Sequence, residues 1–345
     1  MANVLLEEVG PNGNLQAVVE SEEDVCYFYI FSEPETKFGM RSVWVRNYGP
    51  APKSIDGDRM RKGHPPCNPA AYCADPAGSP APDADALNVV WLPEGNGVAL
   101  YENHELLAII PPWSGQSGFH GYAREAIGEG PVAWELAEDN VLIKRFKDAA
   151  LFWDSWNDET WPNIQDNLIS RLEGGYGEHS NYYAIDDGEW PPKAILRIPR
   201  TDGTVLVTIG VSLRPQPNVE LSTESPEQFR RIELGALLPL SWSDADIKRF
   251  ASYLSAQSGL PWSKYTWLGA GHTIHCDSWL NPEFPFAILQ HEHPALPDVT
   301  LDRQTGDPVN LLWFLPISAE ERTAAMENGS ESVVKQLPAL RWQNA

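Results

Sequence analysis

The stretch "GAGHTIHCDSW" (269–279) places His272, His275 and Cys276 within five positions, and "QHEH" (290–293) adds His291 and His293, so that half of the eight histidines fall in one window. Imidazole and thiolate are zinc ligands, and a zinc site needs three or four of them converging tetrahedrally. The spacing serves that poorly. On a strand His272 and His275 would face opposite sides, while His291 and His293 would share one face and could hold a metal from one side only. "HEH" is not the His-Glu-x-x-His helix motif, because its second histidine arrives too soon. His64, Cys67 and Cys73 form a second loose group, whose cysteine spacing matches no zinc ribbon or finger. No metal is therefore expected, and a metal-dependent hydrolase using His272, His275, His291 and His293 stands as the alternative reading.

Nucleophiles come next. "PPWSGQSGFHG" (111–121) sets Ser114 and Ser117 near His120, but Ser117 is followed directly by Gly118 and the Gly-x-Ser-x-Gly elbow is absent. A Gly/Ser loop after a strand accounts for the same letters. No Gly-x-Gly-x-x-Gly opens a helix and no phosphate-binding Gly-Lys-Ser/Thr loop occurs, so no cofactor is expected. "IDDGEW" (185–190) carries Asp186, Asp187 and Glu189 but lacks the spaced ladder of a calcium loop, and reads as an acidic loop between strands.

These groups need elements to hold them. The chain has 345 residues, 42% of them hydrophobic, with 14 Trp, 11 Tyr and 11 Phe, enough for a substantial core or two. Thirty Pro and 26 Gly favour short strands and stiff turns over long helices. Four cysteines (Cys26, Cys67, Cys73, Cys276) make no disulfide framework. There is no basic leader and no apolar run long enough to span a bilayer, so a cytoplasmic location is expected. The formal charge is −23, which disfavours nucleic acid and suits a basic protein partner.

The first third reads as β: "VCYFYIF" (25–31), "SVWVRNY" (42–48), a hairpin of "NVVWL" and "VALYE" around "PEGNG", and "ELLAIIPPW" (105–113). Asn96-Gly97 is expected to supply the hairpin's positive φ. Residues 49–86 read as a surface excursion without period. From about 141 helical spacing begins, through Ile143, Phe146, Ala150 and Trp153, and again through Ile164, Leu168 and Leu172 up to "EGGYG". Strands follow at "YYAI" (182–185), "KAILRI" (193–198), "TVLVTIGVSL" (204–213) and "RRIELGALLPL" (230–240). Ser243 and Asp246 cap a helix with an Ile247, Phe250, Ala251, Leu254 stripe, closed by Gly259 and Pro261. "FPFAILQ" (284–290) and "VNLLWFLPI" (309–317) are strands, and Ser318 with Glu321 caps a last helix. The expected fold is α+β, a mixed, mostly antiparallel sheet with flanking helices. Three segments are expected: a β-rich region 1–140, a domain 141–325 and a loosely held tail 326–345.

The second half resembles the suppressor-of-fused domain family. "VLVTIGVSL" (205–213) resembles its signature strand, with Gly210 and Ser212 near the end, and "RRIELGALL" resembles the next one, with Glu233 in place. "TWLGAGHTI" is similar to its Gly-x-His segment, Gly271-His272, and "DPVNLLWFLPISAEER" to its apolar strand, with Asp307 and Pro316. The resemblance implies a SUFU-like fold in which these residues are structural, and a protein-binding, non-enzymatic role. Eukaryotic members sequester a transcription factor by clamping a peptide segment, in part by strand addition. Bacterial members occur as immunity-type proteins in toxin systems, and this chain is expected to be a bacterial member whose first 140 residues are an extension. Tyr182, Tyr183, Asp186, Asp187, Glu189 and Trp190 are the expected partner-binding residues, receiving a basic protein or peptide.

Overall fold

The computed structural model describes residues 3–32, 38–155, 160–188 and 190–345, which form two compact units divided after Ser155. In the first unit, β1 (Asn3–Val9), β2 (Gln16–Glu22), β3 (Val25–Phe31) and β4 (Met40–Asn47) make an antiparallel four-stranded sheet in chain order. A short helix, α1 (Gly57–Arg61), follows. A second sheet then takes β5 (Leu87–Trp91), β6 (Val98–Glu102), β7 (Glu105–Ile110), β8 (Tyr122–Ala123) and β9 (Trp134–Glu135), again in chain order, and α2 (Val141–Asp154) comes last.

Several expectations shift here for physical reasons. The hairpin between β5 and β6 closes with Leu92 N–H on the Gly97 carbonyl, and its left-handed residue is Gly95 (φ +78), not Asn96 or Gly97. A Cβ at Gly95 would also lie 2.4 Å from the Asn12 amide, which would have to move aside, but it is the positive φ that calls for glycine. Helix α2 buries Leu142, Phe146 and Ala149 rather than the stripe through Ile143 and Ala150. It packs them on Leu92, Ala99 and Ile109, which places α2 with the first unit and moves the boundary past the composition change at 140. The 49–86 segment is tied down rather than adrift: Tyr27 Oη donates to the Pro66 carbonyl (2.8 Å), and Asn47 Nδ2 donates to that of the fully buried Asn68 (2.9 Å).

The second unit opens with α3 (Thr160–Tyr176), which continues through Gly174 and Gly175 to Tyr176 instead of stopping at "EGGYG". There follow β10 (Asn181–Ala184), β11 (Ala194–Pro199), β12 (Gly203–Ile209), β13 (Arg231–Pro239), α4 (Asp244–Ser258), α5 (Leu260–Lys264), β14 (Thr273–His275), β15 (Phe286–Gln290), β16 (Val309–Ile317), α6 (Ala319–Asn328) and α7 (Ser330–Val334). The strands form one seven-stranded sheet in the order β10-β11-β12-β13-β16-β15-β14. Every pairing is antiparallel except β13 with β16, so the fold is α+β with a mixed, mostly antiparallel sheet.

This sheet is covered on both faces, and strand alternation divides the apolar residues between them. Ile195, Leu206, Ile232, Leu234, Leu312 and Phe314 meet Ile247, Phe250, Ala251 and Leu254 of α4 on one side. Leu196, Val205, Val207, Leu311 and Trp313 meet Leu168, Leu172 and Tyr176 of α3 on the other. That double burial is why β12, β13 and β16 read as nearly unbroken apolar runs. The capping boxes at Ser243/Asp246 and Ser318/Glu321 both form. Gly259, however, is not left-handed (φ −94), and Pro261 lies inside α5 rather than ending α4. The last twenty residues are not a loose tail. Trp342 is 2% exposed among the α3-side core residues, and Trp242 Nε1 donates to the carbonyl of Ala345.

Candidate functional site

The end of β12 is built around a buried carboxylate. After Ile209 the chain turns at Gly210 (φ +93), where a Cβ would sit 2.2 Å from the Pro192 carbonyl oxygen. Only glycine fits both the conformation and the space. The turn aims its donors at Glu233 on β13. Glu233 Oε1 accepts from the N–H of Gly210 (2.9 Å), the N–H of Ser212 (3.0 Å) and Ser212 Oγ (2.7 Å). Thr208 Oγ1 donates to Oε2 (2.6 Å) while accepting from the N–H of Leu234. Glu233 has no exposed surface; burial pushes its carboxyl up, and the four donors pull the other way.

Arg231, on the same face of β13, completes the arrangement. Its Nη1 donates to the carbonyls of Ser212 and Leu213 (both 2.8 Å), its Nε reaches Asp307 Oδ2 (3.2 Å), and its Nη2 donates to Thr305 Oγ1. Arg230 pairs with Asp307 as well (2.9 Å). Gly210, Ser212, Glu233 and Asp307 are thus brought into one polar network that fixes the turn after β12 and the approach to β16. Arg230, Arg231, Thr208 and Thr305 belong to it but were not singled out in the sequence. The signal was there, because Arg231 and Glu233 stand two apart inside an otherwise apolar strand, and buried charges need partners.

Gly271 and His272 lie apart from that network, beside the β14–β15 hairpin. Gly271 (φ +87) donates its N–H to the Leu289 carbonyl, and the His272 carbonyl accepts from Leu289. The His272 ring stands edge-on to Trp267 (4.5 Å), and burial pushes its pKa down. Pro316 is buried in β16, opposite Ala287.

The expected partner-binding residues surround β10, the outermost strand on one side of the sheet. Tyr182 is 38% exposed, with its hydroxyl on Gln165 Oε1 (3.2 Å). Tyr183 points the other way and packs against the α4-side core. Asp186 builds its own loop, accepting from the N–H groups of Gly188 and Lys193 (both 2.8 Å), so its carboxylate is already engaged. Asp187 is exposed and left-handed (φ +53), and Trp190 is half-buried before a cis bond to Pro191. Glu189 lies outside the described residues. The outward row of backbone groups on β10 has no strand partner among the described residues. What this region offers is an exposed sheet edge with one exposed tyrosine and one exposed carboxylate.

The other chemistry-bearing groups are engaged elsewhere. The four histidines do not converge: His272 faces Trp267, His275 faces Phe286, and His293 lies against Trp313 and Trp342. Among the described residues no three His, Cys, Asp or Glu side chains are placed to hold a metal ion. Ser114 Oγ donates to the backbone carbonyl of His120, whose Nδ1 lies near the carbonyl of Ser42 (3.3 Å), so these two side chains are directed at backbone carbonyls and not at each other. His64 pairs with Glu22 (2.6 Å), and burial pushes the thiols of Cys67 to about 12 and Cys73 to about 11. Among the described residues no helix is long and apolar enough to cross a membrane.

Comparison with known proteins finds one family match, which lies within the second unit. Residues 189–343 match the family model described as Suppressor of fused protein (SUFU). A chain of the solved "Sufu-Fu complex crystal structure" is similar at 13% identity with a TM-score of 0.36, over 50% of this chain and 82% of that one. No curated protein matches the chain. Residues 189–343 form a suppressor-of-fused-like domain.

Proposed function

We propose that this chain, through its suppressor-of-fused-like domain, is a protein-binding module that sequesters a basic polypeptide segment of its partner. The observation that carries the reading is β10, an outermost strand that leads directly into an acidic loop. A peptide laid along such an edge gains main-chain hydrogen bonds whatever its sequence, while the flanking side chains select it. Tyr182 supplies an exposed ring, Asp187 an exposed carboxylate, and the formal charge of −23 a long-range field that favours a cationic partner. Ser114, His64, His272 and His293 each make contacts of their own, which favours binding over chemistry. In its finer form the partner is a toxin domain, met in the cytoplasm, whose active site the acidic loop covers.

The test is recovery of partners by the purified full chain at low and high salt, beside an Ala184→Pro variant that blocks the β10 edge. A Lys/Arg-rich partner recovered by the wild type and lost with the variant supports the reading. The same partner recovered equally by both overturns the assignment to β10.

A further inference from the structure

The first unit carries a groove of about 350 Å³ where β1, β5 and the end of α2 meet. Its apolar lining includes Pro11, Val90, Trp91 and Trp153, and the carboxylates of Glu8 and Asp154 line the same space. The indoles are fixed in place. Trp91, 5% exposed, donates its Nε1–H to Glu8 Oε1 (3.1 Å), and Trp153 Nε1 donates to the Trp91 carbonyl (2.7 Å). Gly10 lets the ring of Trp91 come this close, since a Cβ there would meet it at 3.0 Å. Neither Glu8 nor Asp154 forms an ion pair among the described residues, although Arg145 on the same helix is taken up by the buried Glu94 (2.8 Å). Partial burial holds the Glu8 carboxyl above its usual range, and the hydrogen bond from Trp91 offsets part of that.

We propose that this groove receives an arginine or lysine side chain of a basic polypeptide partner, its methylene stem on Trp91 and Trp153 and its charged head between Glu8 and Asp154. Such a side chain is apolar along its stem and cationic at its tip, which matches aromatic walls with two carboxylates in one groove. Guanidinium fits best, because it can stack on an indole while donating to a carboxylate in its own plane. The acidic charge of the whole chain favours the same class of ligand. The inference shares with the proposed function only the basic character of the partner and is independent of how β10 engages it.

The experiment is calorimetric titration of the full chain with a synthetic decapeptide of alternating arginine and serine, read alongside the indole N–H resonances. Wild-type protein should bind it and shift the Trp91 indole N–H. Glu8→Gln and Asp154→Asn should each weaken binding by about fivefold, since each removes one charged contact at the surface. Glutamine keeps an acceptor for Trp91, so the indole should stay in place in the free variant. Asp85→Asn, an exposed carboxylate of the same unit, should leave the affinity unchanged. Equal weakening by all three variants, an unmoved Trp91 resonance, or no binding at all would each overturn the groove. Unchanged partner recovery with Ala184→Pro while the arginine peptide still binds would count against β10 alone, not against this groove.

Discussion

Arg231 and Glu233, two residues apart on one face of β13, grip the same turn by opposite poles. The guanidinium takes the carbonyls of Ser212 and Leu213, and the carboxylate takes the N–H groups of Gly210 and Ser212. Inside a sheet covered on both faces, these backbone groups have no water to fall back on, so the two side chains stand in for it.

Replacing Glu233 therefore strands several donors at once. Glu233→Leu should destabilise the protein by about 3 kcal/mol or more, and Glu233→Gln by about 1–2 kcal/mol, because its amide still offers one acceptor. Denaturant unfolding followed by tryptophan fluorescence checks both, and an effect below experimental error for the leucine variant would refute the account.

His293 should make stability fall on acidification. It is 3% exposed, its Nδ1 accepts from the N–H of Ala295 (3.2 Å), and burial lowers its pKa from 6.5 to about 4. The unfolded chain takes up that proton near pH 6.5, the folded one only near 4, so stability is full above the higher value and is lost as pH falls between them. From pH 7 to pH 5 the loss should be about 2 kcal/mol. His293→Gln should remove most of this slope, as measured by denaturant midpoints across the range.

Trp342 fills space beside Gly203 and the β13–β16 region, and a Cβ on Gly203 would meet its ring at 3.1 Å. Trp342→Ala should cost about 3–5 kcal/mol and lower the thermal midpoint by several degrees. A variant as stable as the parent would mean that the terminal segment is not packed as described.

At the β10 edge, Asp187→Lys should slow partner association several-fold at low salt and leave dissociation nearly unchanged. Raising the salt should shrink the difference between variant and wild type, because the residue acts through an exposed charge. Surface plasmon resonance separates the two rates.

Legibility followed the reach of local signals. The β3 and β16 strands, the α4 stripe and both capping boxes could be read directly, because each rests on residues close together in the chain. The α2 stripe could not: Ile143 and Leu142 are equally apolar, and only the packing partners Leu92 and Ile109 decide which turns inward. Trp342 and Gly95 depended on residues far away in sequence. The histidines are near one another in sequence, but their spacing already argued against convergence, and three of them face aromatic rings instead. Asp186 looked like a free acidic residue because nothing in "IDDGEW" reveals that Lys193 returns its N–H to the same carboxylate.

The parallel pairing of β13 with β16 also constrains the order in which the molecule can be made. These two neighbours at the heart of the sheet are separated by the whole chain from α4 to β15, and Arg231 is in register with Val309. The hairpin of β11 and β12 closes over a short loop and β15 meets β16 across residues 291–308, but joining the halves requires the longer excursion from β13 to β16 to be gathered first. From contact order the central seam is expected to zip last and to limit the folding rate. Until it closes, β13 and β16 are exposed apolar edges, the segments most prone to pair with another copy of the chain.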